Sequence, residues 1–219
     1  MCLKALCCTL LGRSPSSCVL GPTCYLFLGT RNDRQIPLRR YLRYRVAGGT
    51  YFFTLVTHER RPILTVPTAR RSLGEAIRAV RRRWPFHVVA MVLLPEHLHA
   101  VWELPPGDAD YSRRWQKIKE AFTRAFLAAG GTEGTPSASR ARKQERAVWQ
   151  RRFWEHTCPE MEDVKECVDY VHWNPVKHGL VTRVRDYPWS TFHRFVRLGE
   201  YDLDWGGENP CPGMEMPEP

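Results

Sequence analysis

"PEHLHAVWEL", residues 95–104, decides how this chain folds. In an extended segment successive side chains point to opposite faces. Leu98, Ala100, Trp102 and Leu104 then form one apolar face, and His97, His99 and Glu103 fall on the other with Val101 among them. Two imidazoles on one face of a rigid strand can grip a single metal ion. They can equally be two ordinary histidines on a polar face, and the strand alone leaves both readings open.

Just before Pro95, "HVVAMVLL" (87–94) is a continuous apolar run of strand length. A tight turn at Pro95 pairs it antiparallel with the histidine strand. Further out, "TYFFTLVT" (50–57) is dense in aromatic and β-branched residues and reads as a third strand. "VPTARRSLGEAIRAVRRRW" (66–84) reads as an amphipathic helix, with Leu73, Ile77 and Val80 at helical spacing and Pro67 suited to its start. "DYSRRWQKIKEAFTRAFLAAG" (110–130) is a second helix, its stripe made by Trp115, Ile118, Phe122 and Phe126. Residues 130–147, rich in Gly, Ser, Thr and basic residues, read as a mobile loop. "AVWQRRFWEH" (147–156) reads as a fourth strand, and a third helix runs from about 159 to 174. This order, β-α-β-β-α-β and then helices, predicts an α+β fold: a mainly antiparallel sheet with helices packed on it, of the split βαβ (ferredoxin-like or RRM-like) kind.

The fold is expected over 36–205, with 1–35 as an extension outside it and a disordered tail over 206–219, where four prolines and three acids leave nothing to bury. Five of the eight cysteines lie in the first 24 residues without CxxC spacing. The three others do not form a disulfide framework, which points to a reducing cytoplasm. No apolar run approaches the roughly 20 residues of a membrane span. Lys and Arg outnumber Asp and Glu by 33 to 23, a net +10, which favours a polyanionic partner, most often nucleic acid.

A metal held by two histidines needs a further ligand, and a reaction needs a nucleophile or an activated water. "DVKECVDYVHWNPVKHGL" (163–180) supplies candidates. Val164, Val168 and Val171 make a core stripe, and Tyr170 and Asn174, one turn apart, stack on its flank. Tyr170 can present its hydroxyl beside a metal and Asn174 its amide oxygen. Asn174 before Pro175 is also what a helix N-cap looks like, so ligand and cap both stand. His172 falls off the Tyr170–Asn174 line and reads as a surface residue. Glu155 and His156, in "FWEH", read either as support for the site or as a strand end.

"LPEHLHAVWELP", "WQRRFWEH" and "DYVHWNPVKHGLV" together resemble the REP-associated tyrosine transposases, within the HUH single-strand DNA transposases. HUH denotes His, a hydrophobic residue and His, here His97-Leu98-His99. The resemblance spans about 43–205 and leaves out both tails and the 130–147 insertion. It implies that Tyr170 attacks a phosphodiester of single-stranded, hairpin-forming repeat DNA, giving a 5′-phosphotyrosine and a free 3′-hydroxyl. It also implies that His97, His99 and Asn174 hold Mg2+ or Mn2+, although related transposases carry a longer Gln at the Asn174 position. The protein is then a DNA endonuclease and strand transferase acting in a bacterial cytoplasm, as a monomer or homodimer.

Arg43, Arg45, Arg82, Arg83, Lys117, Lys119, Arg151 and Arg152 recur around aromatic residues, the mixture that single-strand binders use: cations for phosphates and rings for bases. A solvated basic surface has the same composition. Two other functions fit less of the sequence. One is a repeat-DNA-binding module with idle chemistry. The other is a metallohydrolase using activated water, for which no Asp or Glu is obviously placed as base.

Overall fold

The computed structural model describes residues 45–207 and Pro210. The expectations for 1–35, for most of the tail and for Arg43 fall outside these residues. Four strands, β1 (Thr50–Val56), β2 (His87–Leu93), β3 (His97–Glu103) and β4 (Trp154–Cys158), form one antiparallel sheet in the order β2-β3-β1-β4. Among the described residues five α-helices accompany it: α1 (Pro67–Arg83), α2 (Tyr111–Ala128), α3 (Ala138–Arg142), α4 (Met161–Lys177) and α5 (Phe192–Leu198). The chain order of β1 to β4 with α1 and α2 is the predicted split βαβ pattern, and the fold class is α+β.

Alternation along the central strands sorts the core into two layers. Tyr51, Phe53 and Leu55 of β1 with Leu98, Ala100 and Trp102 of β3 meet α1 and α2. There the Trp102 and Trp115 rings stack at 3.8 Å. Phe52 and Val101 face the other way, onto Val168, Tyr170 and Val171 of α4. Because β1 and β3 are covered on both sides, every residue from Tyr51 to Val56 and from His97 to Trp102 is buried. A strand covered on both faces reads as a continuous apolar run, as β1 does.

The helix starts follow local chemistry. Pro67 opens α1, where its missing N–H costs nothing. The Asp110 carboxylate caps α2 by accepting from the Arg113 amide at 3.1 Å. The Asp163 carboxylate accepts from the Glu160 amide at the start of α4.

Three elements differ from their expected form. The fourth strand begins at Trp154 and not at 147; Trp149 makes only an isolated bridge to Thr57. The 130–147 segment contains α3 and is tied down by Arg140, which donates to the Arg146 and Trp149 carbonyls. Lastly, α4 continues through Pro175 to Lys177. The proline removes one amide donor in the last turn, and the His178 and Leu180 amides close that turn on the Asn174 and Pro175 carbonyls. Among the described residues no helix is long and apolar enough to cross a membrane.

Candidate active site

Antiparallel pairing sets Thr54 of β1 opposite His99 and Val56 opposite His97. Both histidines lie on a central strand beneath α4 and are buried. Each ring is anchored through Nδ1. That of His99 meets the Thr54 hydroxyl at 2.9 Å, and that of His97 meets the Glu96 carboxylate at 3.0 Å. A carboxylate can only accept, so the His97 proton sits on Nδ1 and its Nε2 offers a lone pair. The two Nε2 atoms face each other 3.2 Å apart. Burial first, then His97, His178 and Lys177, hold the His99 imidazole well below its usual 6.5. A neutral ring with an outward lone pair is what a metal ligand requires.

The other wall is α4. Tyr170, Asn174 and His178 follow one another at intervals of four and so share a flank. The Tyr170 ring meets the His99 ring edge-on at 5.4 Å, and the His178 ring meets that of His97 at 5.0 Å. Asn174 lies between these two contacts on the same flank of α4. It is fully buried, and neither its Oδ1 nor its Nδ2 has a hydrogen-bond partner. Leaving a buried amide unsatisfied costs about 1–3 kcal/mol. Two convergent imidazole nitrogens and an unpartnered amide oxygen are donors that suit a divalent cation, so these residues fit the metal implied by the HUH resemblance. Asn174 is not an N-cap, since the helix runs through it and ends at His178.

Two neighbours of the site were not singled out in the sequence. The Lys177 Nζ donates to the Tyr170 hydroxyl at 3.0 Å and lies 4.8 Å from its ring centroid. His178 packs on His97 as described. The signal for both was their spacing of seven and eight residues from Tyr170, two turns along the same face, and it is informative only once α4 is known to pass Pro175.

The other predicted residues spread out. Glu155 pairs with Phe53 and accepts from the Tyr111 hydroxyl at 3.4 Å, on the α1/α2 side of the sheet, so it cannot support the histidine pair. His156 faces the α4 side but is exposed and stacks on Trp154 at 6.0 Å, opposite Phe52. His172 is not on the surface. It is fully buried, bonds the Thr191 hydroxyl at 2.9 Å, and burial brings its pKa down to about 3. It packs against Phe192, Phe195 and Tyr201, because α5 and the segment after it cover that side of α4.

Among the described residues, the predicted basic side chains do not form one patch around the histidines. Arg82 and Arg83 are exposed on α1, with Arg83 over the Trp84 ring at 4.9 Å. Lys117 pairs with Glu120 at 2.8 Å, and Lys119 donates to the Gln150 carbonyl. Arg151 pairs with Glu145 at 2.6 Å, Arg45 reaches the Ser112 hydroxyl at 3.4 Å, and Arg152 is exposed. Lys119 and Arg151, with Arg124, Arg140, Trp149 and Phe153, line a cleft of about 950 Å3 between α2 and the 140–153 segment.

Comparison with known proteins agrees with this geometry. The family described as "Transposase IS200 like" matches residues 45–174. The REP-associated tyrosine transposase of Escherichia coli (strain K12) is 43% identical over 171 residues, 78% of this chain and 93% of that protein. A Haemophilus influenzae (strain ATCC 51907 / DSM 11121 / KW20 / Rd) protein provisionally given the same name is 36% identical over 173 residues, 79% of this chain and 96% of that one. A solved structure of a REP-associated tyrosine transposase bound to a REP hairpin superposes with a TM-score of 0.64 at 40% identity, covering 81% of this chain and 98% of that one. The chain belongs to the IS200-like transposase family, as a REP-associated tyrosine transposase of the HUH superfamily, an enzyme class that cleaves and joins DNA.

Proposed function

We propose that this enzyme cuts and rejoins single-stranded, hairpin-forming repeat DNA, with Tyr170 as nucleophile and His97, His99 and Asn174 as the ligands of Mg2+ or Mn2+. The observation that carries the reading is the contact of the Tyr170 ring with His99, one helical turn from the unpartnered Asn174 amide. The hairpin bound by the related transposase supports the substrate class.

A free phenol titrates near 10 and attacks poorly at neutral pH. When bound, a divalent cation polarises the phosphate oxygens and offsets charge in the transition state. The residues do the remainder. Glu96 and Thr54 fix the two imidazoles, and α4 holds the phenol against them. The Tyr170 oxygen forms a bond to phosphorus and loses its proton. The bond from phosphorus to the 3′ oxygen breaks and that oxygen takes up a proton from water, balancing the one the phenol releases, which leaves a 5′-phosphotyrosine and a 3′-hydroxyl. The Lys177 ammonium, 3.0 Å from the phenol oxygen, is placed to hold negative charge there as attack begins. The ester keeps the phosphodiester energy, so a later 3′-hydroxyl attack restores both the DNA strand and the tyrosine without ATP.

One observation favours a binding module with idle chemistry: the Tyr170 side chain is only 1% exposed. A single assay separates the two. With hairpin DNA and Mg2+ or Mn2+, the native chain should give a covalent protein–DNA adduct. Tyr170→Phe should give none while binding the hairpin with unchanged affinity. Tight binding by the native chain with no adduct would make it a binding module, and cut product without adduct would point to activated water.

A further inference from the structure

The sulfur atoms of Cys158 and Cys167 lie 3.4 Å apart, and one ring nitrogen of His156 completes a group whose three ligand atoms all fall within 4.8 Å of one another. The three donors come from two elements. His156 and Cys158 are two apart on β4 and so share its α4-facing side, while Cys167 comes from α4 itself. Cys158 and Cys167 are buried and His156 is exposed. The group is not the one around His97 and His99. His156 and Cys158 stand opposite Phe52 and Thr50 of β1, whereas His99 and His97 stand opposite Thr54 and Val56. The mechanism uses none of the three.

We infer that His156, Cys158 and Cys167 form a second metal site, selective for a thiophilic ion such as Zn2+, that clamps the edge strand β4 to the helix carrying Tyr170. Two thiolates and an imidazole are soft donors that prefer Zn2+ to Mg2+ or Mn2+. Bonds of about 2.3 Å to sulfur on a tetrahedral ion put two thiolates about 3.8 Å apart, close to the separation already present. Three protein donors with water in the fourth position match the exposed His156 edge, through which the ion would enter. Binding releases the thiol protons to solvent, and no electron is transferred. Cys167 is three residues before Tyr170, so the clamp would act on the position of the phenol.

Cobalt titration of the reduced full-length protein tests this, with Co2+ alone as the probe. Thiolate-bound Co2+ gives an intense charge-transfer band in the near ultraviolet that the His97/His99 centre, lacking sulfur, cannot produce. The native protein should show the band at one equivalent, and Zn2+ should displace it. Cys158→Ser and Cys167→Ser should each abolish it, and His97→Ala should leave it intact. Replacing the six other cysteines by Ser should also preserve it. Because His156 is exposed, His156→Ala tests the site without disturbing the core. Loss of a group one layer further out already costs about 10–100-fold in affinity, so this variant should bind Co2+ at least about tenfold more weakly. Absence of the band in the native protein would overturn the site. So would its survival in either cysteine variant, unchanged affinity in His156→Ala, or a Cys158–Cys167 disulfide in protein purified under reducing conditions.

Discussion

Lys177 shows what one side chain can decide. Its ammonium touches the Tyr170 hydroxyl, the nucleophile proposed above, and also lies over the same ring. In a buried site a fixed cation is worth far more than in water, and removing one group aimed at developing charge costs on the order of 100-fold in rate. Lys177→Ala should therefore slow formation of the DNA–protein adduct by about 100-fold, while hairpin affinity changes little. Lys177→Arg, which keeps the charge, should recover part of the rate. Single-turnover adduct formation measured against pH is the check. A Lys177→Ala rate equal to the native one would remove the ammonium from the reaction. Alternation put His97 and His99 on one face of their strand and helical spacing put Tyr170 and Asn174 on one flank of α4, while their roles came only from the family resemblance. Lys177 and His178 were not legible even as neighbours, because Asn-Pro reads as a break, and a helix believed to stop at 174 has no residue 177 on its face.

At the scale of the element, α4 explains most of the differences between expectation and structure. Its core stripe of Val168 and Val171 was plain from spacing, as were the three apolar strands and both long helices before it. The second covered side of α4 was hidden, because the aromatic residues that cover it come from α5 and beyond, with no period linking them to His172. The consequence is a pH dependence. In the fold His172 stays neutral down to about pH 3, whereas in the unfolded chain it takes a proton near the ordinary imidazole value of 6.5. Between these limits the unfolded state holds more protons, so stability is full above about 6.5 and falls as pH drops. Between pH 7 and pH 5 the loss from His172 alone is about 2 kcal/mol. Denaturant unfolding at these two pH values should show His172→Gln, which can still bond Thr191, losing less stability than the native chain. Equal losses in the two proteins would mean that His172 is not held neutral by the fold.

For the whole molecule, the sheet divides the work. One face, covered by α1 and α2, carries most of the aromatic core, and the other carries the histidine pair and is covered by α4, which brings Tyr170. The net charge of +10 is carried by the entire chain, and its sign favours a polyanionic partner such as nucleic acid. Composition could not tell which cations face solvent, since pairing is set by tertiary packing. Lys117 is held by Glu120 and Arg151 by Glu145, while Arg82, Arg83 and Arg152 remain exposed. A cation that neutralises a phosphate releases a counterion, and each such contact on a single strand contributes about 0.7 to the slope of log affinity against log salt. Hairpin binding should therefore weaken steeply with salt. The triple change Arg82→Ala, Arg83→Ala and Arg152→Ala should flatten that slope by about 2, whereas Lys117→Ala, removing a charge already neutralised within the protein, should leave it in place. Fluorescence anisotropy across a salt series reads both. If the Lys117 variant flattens the slope and the triple variant does not, the DNA path follows α2 and the cleft beside it, and the exposed arginines of α1 serve solubility alone.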